Sequence, residues 1–281
     1  MEQDFNNINN IELTGVFYID KLCSQKHAHM LHKHDKVLEL LYIASGKGRY
    51  IIGNRDYLIK EGDLVICNAD TLHGEAPFQN NDIQTYCCAL AQVDLKCLSI
   101  GVLINSEQRP IISLEKNKKL VENLMYSIYN LYLEKEENLE ICKHLAKGLL
   151  LLIYKILKEH SFKAKTFNEQ KNEMLIRKIT QYLNHHYMEQ VTLKNISENM
   201  HISETHISHL FKRETGLSPI QYVVHRRIGE AQTLLMETNL PINKIEEQLG
   251  FGSSCHLITM FRKYVGLSPR EYRKKFRKNN L

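Results

Sequence analysis

His206-Ile-Ser-His-Leu-Phe211-Lys-Arg-Glu-Thr-Gly216-Leu-Ser-Pro219-Ile-Gln-Tyr222 returns fifty residues later as His256-Leu-Ile-Thr-Met-Phe261-Arg-Lys-Tyr-Val-Gly266-Leu-Ser-Pro269-Arg-Glu-Tyr272. Seven of the 17 paired positions are identical, and five more exchange like for like. Self-similarity at a fixed period marks a duplicated structural unit. In the first copy Thr192 is placed to cap a helix whose apolar positions are Leu193, Ile196 and Met200. Ser203 caps a second, with Ile207, Leu210 and Phe211 turned inward. Gly216 is the left-handed stop, and Pro219 starts a new helix. The second copy runs Pro241, Ile242, Ile245, Leu249, a Gly250-Phe251-Gly252 turn, then a helix with Leu257, Met260, Phe261 and Tyr264 inward. Two short helices joined by a tight turn, with a basic pair on the second (Lys212-Arg213, Arg262-Lys263), describe a helix-turn-helix. Between the copies, Pro219 to Thr238 reads as one connecting helix with Tyr222, Val223, Ile228, Ala231, Leu234 and Leu235 as its buried side.

The stretch from 175 to 277 resembles the tandem helix-turn-helix domain of the AraC/XylS transcription regulators. The marks are Phe211 through Pro219, Arg227-Ile-Gly-Glu-Ala231-Gln-Thr-Leu-Leu235, Ile245 through Phe251, and Phe261 through Arg273. Glu246, where the family usually has a small Ala, and His256-Leu257, in place of an aromatic pair, depart from the pattern. Both lie in the second copy.

The rest of the 281-residue chain suits a second domain of ordinary size. No apolar run reaches the roughly 20 residues of a membrane span. The opening Met1-Glu-Gln-Asp-Phe-Asn-Asn has no basic or apolar leader, and the seven cysteines form no CxxC pair. A cytoplasmic protein with reduced thiols and no membrane association is the expectation. Charge is uneven. Residues 171–281 hold 17 Lys+Arg against 10 Asp+Glu, a net +7; the other 170 residues hold 20 against 22, a net −2. One domain is built to meet phosphate, with the basic run Arg270–Lys278 at its end, and the other is not.

Residues 11–100 read as β structure: Val16–Ile19, Leu38–Ala44, Gly48–Ile52, Tyr57–Lys60, Leu64–Cys67 and Ile83–Ala91. Turn signals separate them at Ser45–Gly48, Gly53-Asn54, Glu61–Asp63 and Asn68–Asp70. Regular short strands suggest a small barrel or jelly roll. Within it His32-Lys-His34-Asp-Lys-Val-Leu-Glu39 is followed by Gly46, Gly62-Asp63 and His73. On an extended chain residues two apart share a side, so His32 and His34 can face one cavity. The pattern resembles a cupin, the usual sensor domain of that regulator family. In metal-binding cupins the positions matching His32, His34, Glu39 and His73 hold a divalent ion. Three imidazoles and a carboxylate suit zinc, iron, nickel or manganese. An organic-ligand pocket and a purely structural barrel are the alternatives, and no cofactor is required by either. His27 and His29 read as incidental surface residues.

Residues 115–160 return to helical period. One stripe holds Leu120, Leu124, Ile128 and Leu131; after Glu134–Asn138 a second holds Ile141, Leu145, Leu149, Leu152, Ile153 and Ile156. By resemblance this segment carries a homodimer contact, placed on Leu120, Leu124, Ile128, Leu145, Leu149 and Leu152; covering the barrel is the other reading. The fold expectation is multidomain. Residues 1–112 form an all-β cupin-like sensing barrel and 113–160 a helical pair that covers it or dimerises. A linker at 161–172 leads to an all-α domain at 173–281, two helix-turn-helix units joined by the connecting helix.

On the first recognition helix, packing leaves Thr205, His206, Ser208, His209 and Lys212 outward; on the second, the matching set is Ser254, Cys255, Ile258, Thr259 and Arg262. The resemblance implies a sequence-specific DNA-binding regulator, not an enzyme. It implies double-stranded promoter DNA as partner, a small-molecule effector in the barrel, and RNA polymerase as a further partner if it activates. Thr205, Ser208 and His209 match base-edge positions, and Lys212 a phosphate position. The alternative is a cupin metalloprotein or metalloenzyme using His32, His34, Glu39 and His73. No substrate-handling Arg/Tyr cluster accompanies that set.

Overall fold

A computed structural model of the chain describes residues 4–20, 30–53, 55–75, 82–96, 98–105, 108–134, 136–159 and 167–276. His27, His29, Cys23, Cys97, Asn54 and the end of the basic run lie outside them. The amino-terminal half is a seven-stranded antiparallel sheet: β1 (Glu12–Ile19), β2 (Val37–Ile52), β3 (Arg55–Lys60), β4 (Asp63–Cys67), β5 (His73–Glu75), β6 (Asp82–Ala91) and β7 (Ile111–Ser113). β2 is its spine. It pairs β6 and then β5 along one edge, β4 and then β3 along the other, and β1 and β7 extend the two sides.

The Gly-rich stretch at 45–48, expected to separate two strands, does not end β2. The register shifts between Ile43 and Ser45, and Gly46 takes φ +83. A Cβ on Gly46 would stand 1.4 Å from the Asp82 carbonyl oxygen, so glycine lets the strand bend against β6 and continue. β5 and β7, three residues each, gave no sequence signal because so short a strand shows no periodicity.

Alternation along β2 sorts the side chains. Leu38, Leu40 and Tyr42 join Leu64, Ile66, Cys88 and Leu90 under two helices, α1 (Lys118–Leu133) and α2 (Leu139–Glu159). Leu41 and Ile43 turn to the opposite face with Ile59, Val65, Cys67 and Cys87, and Glu39 shares their parity. The apolar stripes of α1 and α2 therefore cover the sheet. This corrects part of the expected dimer surface: Ile128 and Leu149 are fully buried in the core, because the sheet face needs a lid. Leu124, Leu145 and Leu152 are half-buried on that core, and Leu120 is exposed.

The carboxyl-terminal half is helical: α3 (Phe167–His186), α4 (Leu193–Met200), α5 (Glu204–Thr215), α6 (Pro219–Glu237), α7 (Ile242–Leu249), α8 (Ser254–Val265) and α9 (Pro269–Phe276). Residues 167–172, expected as linker, are already the first turns of α3, whose buried Ile176, Ile179 and Leu183 supply the helical period further on. The punctuation of the first copy is as the sequence predicts, and the structure adds Ser253 and Gly266 in the second. Thr192 caps α4 in a capping box with Asn195, and Ser203 and Ser253 cap α5 and α8. Gly216, Gly250 and Gly266 end their helices in the left-handed region, and Pro219 is the first residue of α6. Met260 and Tyr264, expected inward on α8, are half-buried, as is Leu234 on α6.

α6 is buried far beyond one apolar stripe: His225, Arg226, Arg227, Gly229 and Gln232 are buried too. Arg227 explains why. Its guanidinium donates to the carbonyls of Tyr187 (2.5 Å), Glu189 (2.6 Å) and Gly250 (2.7 Å), tying the end of α3 and the end of α7 to the connecting helix. A buried cation is tolerated where each donor finds an acceptor.

Candidate DNA interface and barrel site

The two recognition helices present their predicted outward sets to solvent. On α5, Thr205, His206, His209 and Lys212 are exposed and Ser208 is half-buried; Ile207, Leu210 and Phe211 are buried behind them. On α8, Cys255, Thr259 and Arg262 are exposed and Ser254 and Ile258 half-buried, over buried Leu257, Phe261 and Val265. Packing fixes which face is free, so the free face carries whatever reading the helix does. The structure adds two contacts that spacing did not reveal. The Ser254 hydroxyl lies 3.3 Å from a Glu246 carboxylate oxygen, and His256 Nδ1 lies 2.9 Å from the Phe251 carbonyl.

In the barrel, His32, His34, Glu39 and His73 converge: one donor atom from each lies within 4.8 Å of the others. His32 and His34 are not on a regular strand. His32 forms an isolated bridge with His73, each backbone N–H donating to the other's carbonyl (3.0 and 2.9 Å), and β2 begins only at Val37. His73 Nε2 is 3.0 Å from one Glu39 oxygen and His34 Nε2 is 3.3 Å from the other. Glu39 and His73 are buried. Burial works to raise the Glu39 pKa, but the hydrogen bonds and charges of His34 and His73 outweigh it and hold the carboxyl well below its ordinary value. For His34 burial works downward, and the bond and charge of Glu39 prevail, raising it.

Two of the rings are oriented from behind. His32 Nδ1 lies 2.8 Å from the Met30 carbonyl and His73 Nδ1 2.7 Å from the Thr71 carbonyl. A carbonyl accepts only, so each Nδ1 carries a proton and each Nε2 is left for the site. Backbone-held imidazoles of this kind are how metal-binding histidines are usually aimed. The donor set therefore fits a divalent transition metal, with bonds of about 2.0–2.2 Å requiring a modest closure. Cys67 and Cys87 are buried nearby, and burial first, then the Glu39 charge, pushes both thiols well up, so they stay protonated spectators.

A family model described as "AraC-like ligand binding domain" matches residues 15–145, and one described as "Helix-turn-helix domain" matches 196–275. A relative from Escherichia coli (strain K12), the uncharacterized HTH-type transcriptional regulator YdiP, is 30% identical over 252 residues, 88% of this chain and 81% of its own. The HTH-type transcriptional activator RhaR of Escherichia coli O139:H28 is 23% identical over 250 residues, 86% of each chain. The solved C-terminal domain of AraT, a response regulator from Geobacillus stearothermophilus, is 31% identical and spans 38% of this chain and 88% of its own, with a TM-score of 0.36. With both family models matching and a relative 30% identical over 88% of this chain and 81% of its own, the chain belongs to the AraC family of DNA-binding transcriptional regulators.

Proposed function

We propose that the protein is a cytoplasmic, sequence-specific regulator that reads promoter DNA with α5 and α8 and takes its signal in the barrel. The observation that carries this reading is the exposure of seven of the ten outward residues, the other three half-buried, while the faces behind them are buried. α6, buried on nearly every side, supports a fixed separation of the reading helices, expected to be about one turn of DNA, roughly 34 Å. Thr205, His206, Ser208 and His209 supply polar base contact, with His209 donating to a purine acceptor. Lys212 and Arg262 meet phosphate. Ser254, Cys255, Ile258 and Thr259 offer a less polar surface suited to thymine methyls. The chain itself catalyses nothing.

The sensor site is centred on His32, His34, Glu39 and His73. Its donor set favours a divalent cation over an organic effector, and a bound cation would supply a fixed positive centre joining β2, β5 and the 30–34 segment. A homodimer through α1 and α2 is supported by exposed Leu120, Tyr126, Leu133 and Ile141 beside half-buried Leu124, Leu145 and Leu152. RNA polymerase is a further partner if the protein activates. Genome-wide capture of bound DNA, followed by gel shift against excess random DNA, tests the central claim; retention on random DNA equal to that on captured sites refutes it. The same four residues favour a second reading, a cupin metalloprotein or metalloenzyme. Both readings place a metal there, so an oxidase and isomerase screen of protein purified without nickel resin separates the two.

A further inference from the structure

Three consecutive residues, Met30, Leu31 and His32, belong to two structures at once. Met30 and Leu31 are fully buried, and they lie with Ile51 and Leu72 in the hydrophobic core of the helical domain rather than that of the barrel. α6 sits directly on them. A Cβ built on Gly229 would stand 2.0 Å from the Leu31 carbonyl oxygen, so backbone meets backbone there. One turn on, Gln232 Oε1 accepts a hydrogen bond from the Met30 N–H (3.2 Å). On their other side the same residues build the barrel site. His32 is bridged to His73 through both backbone bonds, and its ring is aimed by the Met30 carbonyl.

Segment 30–32 therefore cannot shift toward α6 while α6 is docked, and α6 cannot leave without exposing Met30 and Leu31 to water. Whatever draws His32 toward His73 acts on the residues that α6 rests against. We propose that residues 30–32 are a coupling segment: filling the His32–His34–Glu39–His73 site favours the arrangement in which α6 is docked on the barrel, and undocking weakens the site. Gly229 and Gln232 are positioning residues in this device, touching neither the ligand nor DNA. The proposal rests on the reading of the barrel as the sensor. Because binding linkage is reciprocal, the factor by which site filling changes DNA affinity equals the factor by which DNA changes site affinity.

The test uses the full chain with Co²⁺ as a coloured probe, captured operator DNA, and hydrogen exchange of the peptide spanning 30–34. Gly229→Ala puts a methyl into the Leu31 carbonyl, and Gln232→Ala removes the acceptor from Met30. Gly148→Ala, on α2 with nothing near its Cβ, is the matched control. In the wild type, DNA should change Co²⁺ affinity about 5- to 150-fold, and Co²⁺ should change DNA affinity equally. In Gly229→Ala, Co²⁺ affinity should fall at least fivefold, exchange at 30–34 should quicken, and the DNA effect should shrink toward one. Gln232→Ala should move in the same direction, and Gly148→Ala, on the stripe of Ile141, Leu145 and Leu152, should match the wild type in Co²⁺ affinity and exchange. Unchanged Co²⁺ affinity and exchange in both variants overturn the coupling while leaving the metal reading intact. If the wild type takes up no Co²⁺, the metal reading falls and exchange alone decides. Faster exchange in the variants then upholds the coupling, and unchanged exchange overturns it.

Discussion

In the first helix-turn-helix unit Phe211 and Tyr222 meet edge to face, ring centres 5.5 Å apart; in the second Phe261 and Tyr272 do the same at 5.3 Å. Gly216 and Gly266 close the recognition helices at φ +75 and +78. Ser218 with Gln221 and Ser268 with Glu271 then make the same pair of reciprocal capping contacts. Outward of this shared frame the units part company. α5 carries two exposed histidines, His206 and His209. On α8 the His256 ring is tied back to Phe251, and Ser254 is tied to Glu246. Duplication kept what holds each helix in place and let go of what each helix shows. Scaffold and reading surface are separable, and the second unit offers the weaker polar code.

The strongest way to break this equivalence is to remove the matched rings. Phe211→Ala and Phe261→Ala should each cost about 3–5 kcal/mol of stability, read by urea unfolding. A cost confined to one unit would show that the frames are not equivalent. A pH series probes an asymmetry. His225 on α6 meets Tyr264 of the second unit edge to face, 4.5 Å between ring centres. Burial, helped by the Lys263 charge, pulls its pKa from 6.5 down to about 3. Below pH 6.5 the unfolded chain takes up a proton that the folded chain refuses, so stability should fall by up to about 1.4 kcal/mol per unit from 6.5 toward 3. Above 6.5 it contributes no slope. His225→Leu should flatten the acid limb of a urea midpoint series; an unchanged limb removes His225 as its source.

The terminating glycines sharpen the comparison. Alanine at either position meets the left-handed region, costing about 1–2 kcal/mol. Gly216→Ala should cost more than Gly266→Ala, because its Cβ would stand 2.7 Å from an Asp56 carboxylate oxygen on β3. Equal melting shifts would show that Asp56 gives way. On the reading surface, His209→Ala should lose about 1–3 kcal/mol of discrimination at one base position. Lys212→Ala should weaken all sequences alike and lower the salt slope by about one. Identical behaviour of the two on operator and random DNA would end that division of labour. The smallest effect belongs to Glu246→Ala, which frees Ser254 and removes a carboxylate from the second reading face. It should strengthen operator binding by no more than about 1 kcal/mol at low salt, and a loss would mean that Glu246 itself reads.

The helical half was legible almost residue by residue because caps, glycine stops and apolar spacing are local signals: Thr192, Ser203, Gly216 and Pro219 each act within a turn of where they stand. The barrel site was legible as a set of residues, His32, His34, Glu39 and His73, but not as a geometry. The bridge that joins His32 to His73 spans forty residues and follows no period. Long-range burial was the blind spot. Ile128 and Leu149 carry the same stripe whether they cover a sheet or meet another chain. The burial of Arg227 and Gln232 follows from neighbours supplied by other elements, which helical spacing on α6 cannot report.

Arg227 has one more consequence. Three carbonyls from two separate helix ends converge on a single guanidinium in the middle of α6. The angle between the two readers is thereby set by one planar group instead of by a hinge. Such a clamp leaves little room to follow a half-site moved along the duplex, where each inserted base pair turns it by about 34°. Natural operators for this protein should accordingly tolerate substitutions within their halves far better than a single inserted or deleted pair between them.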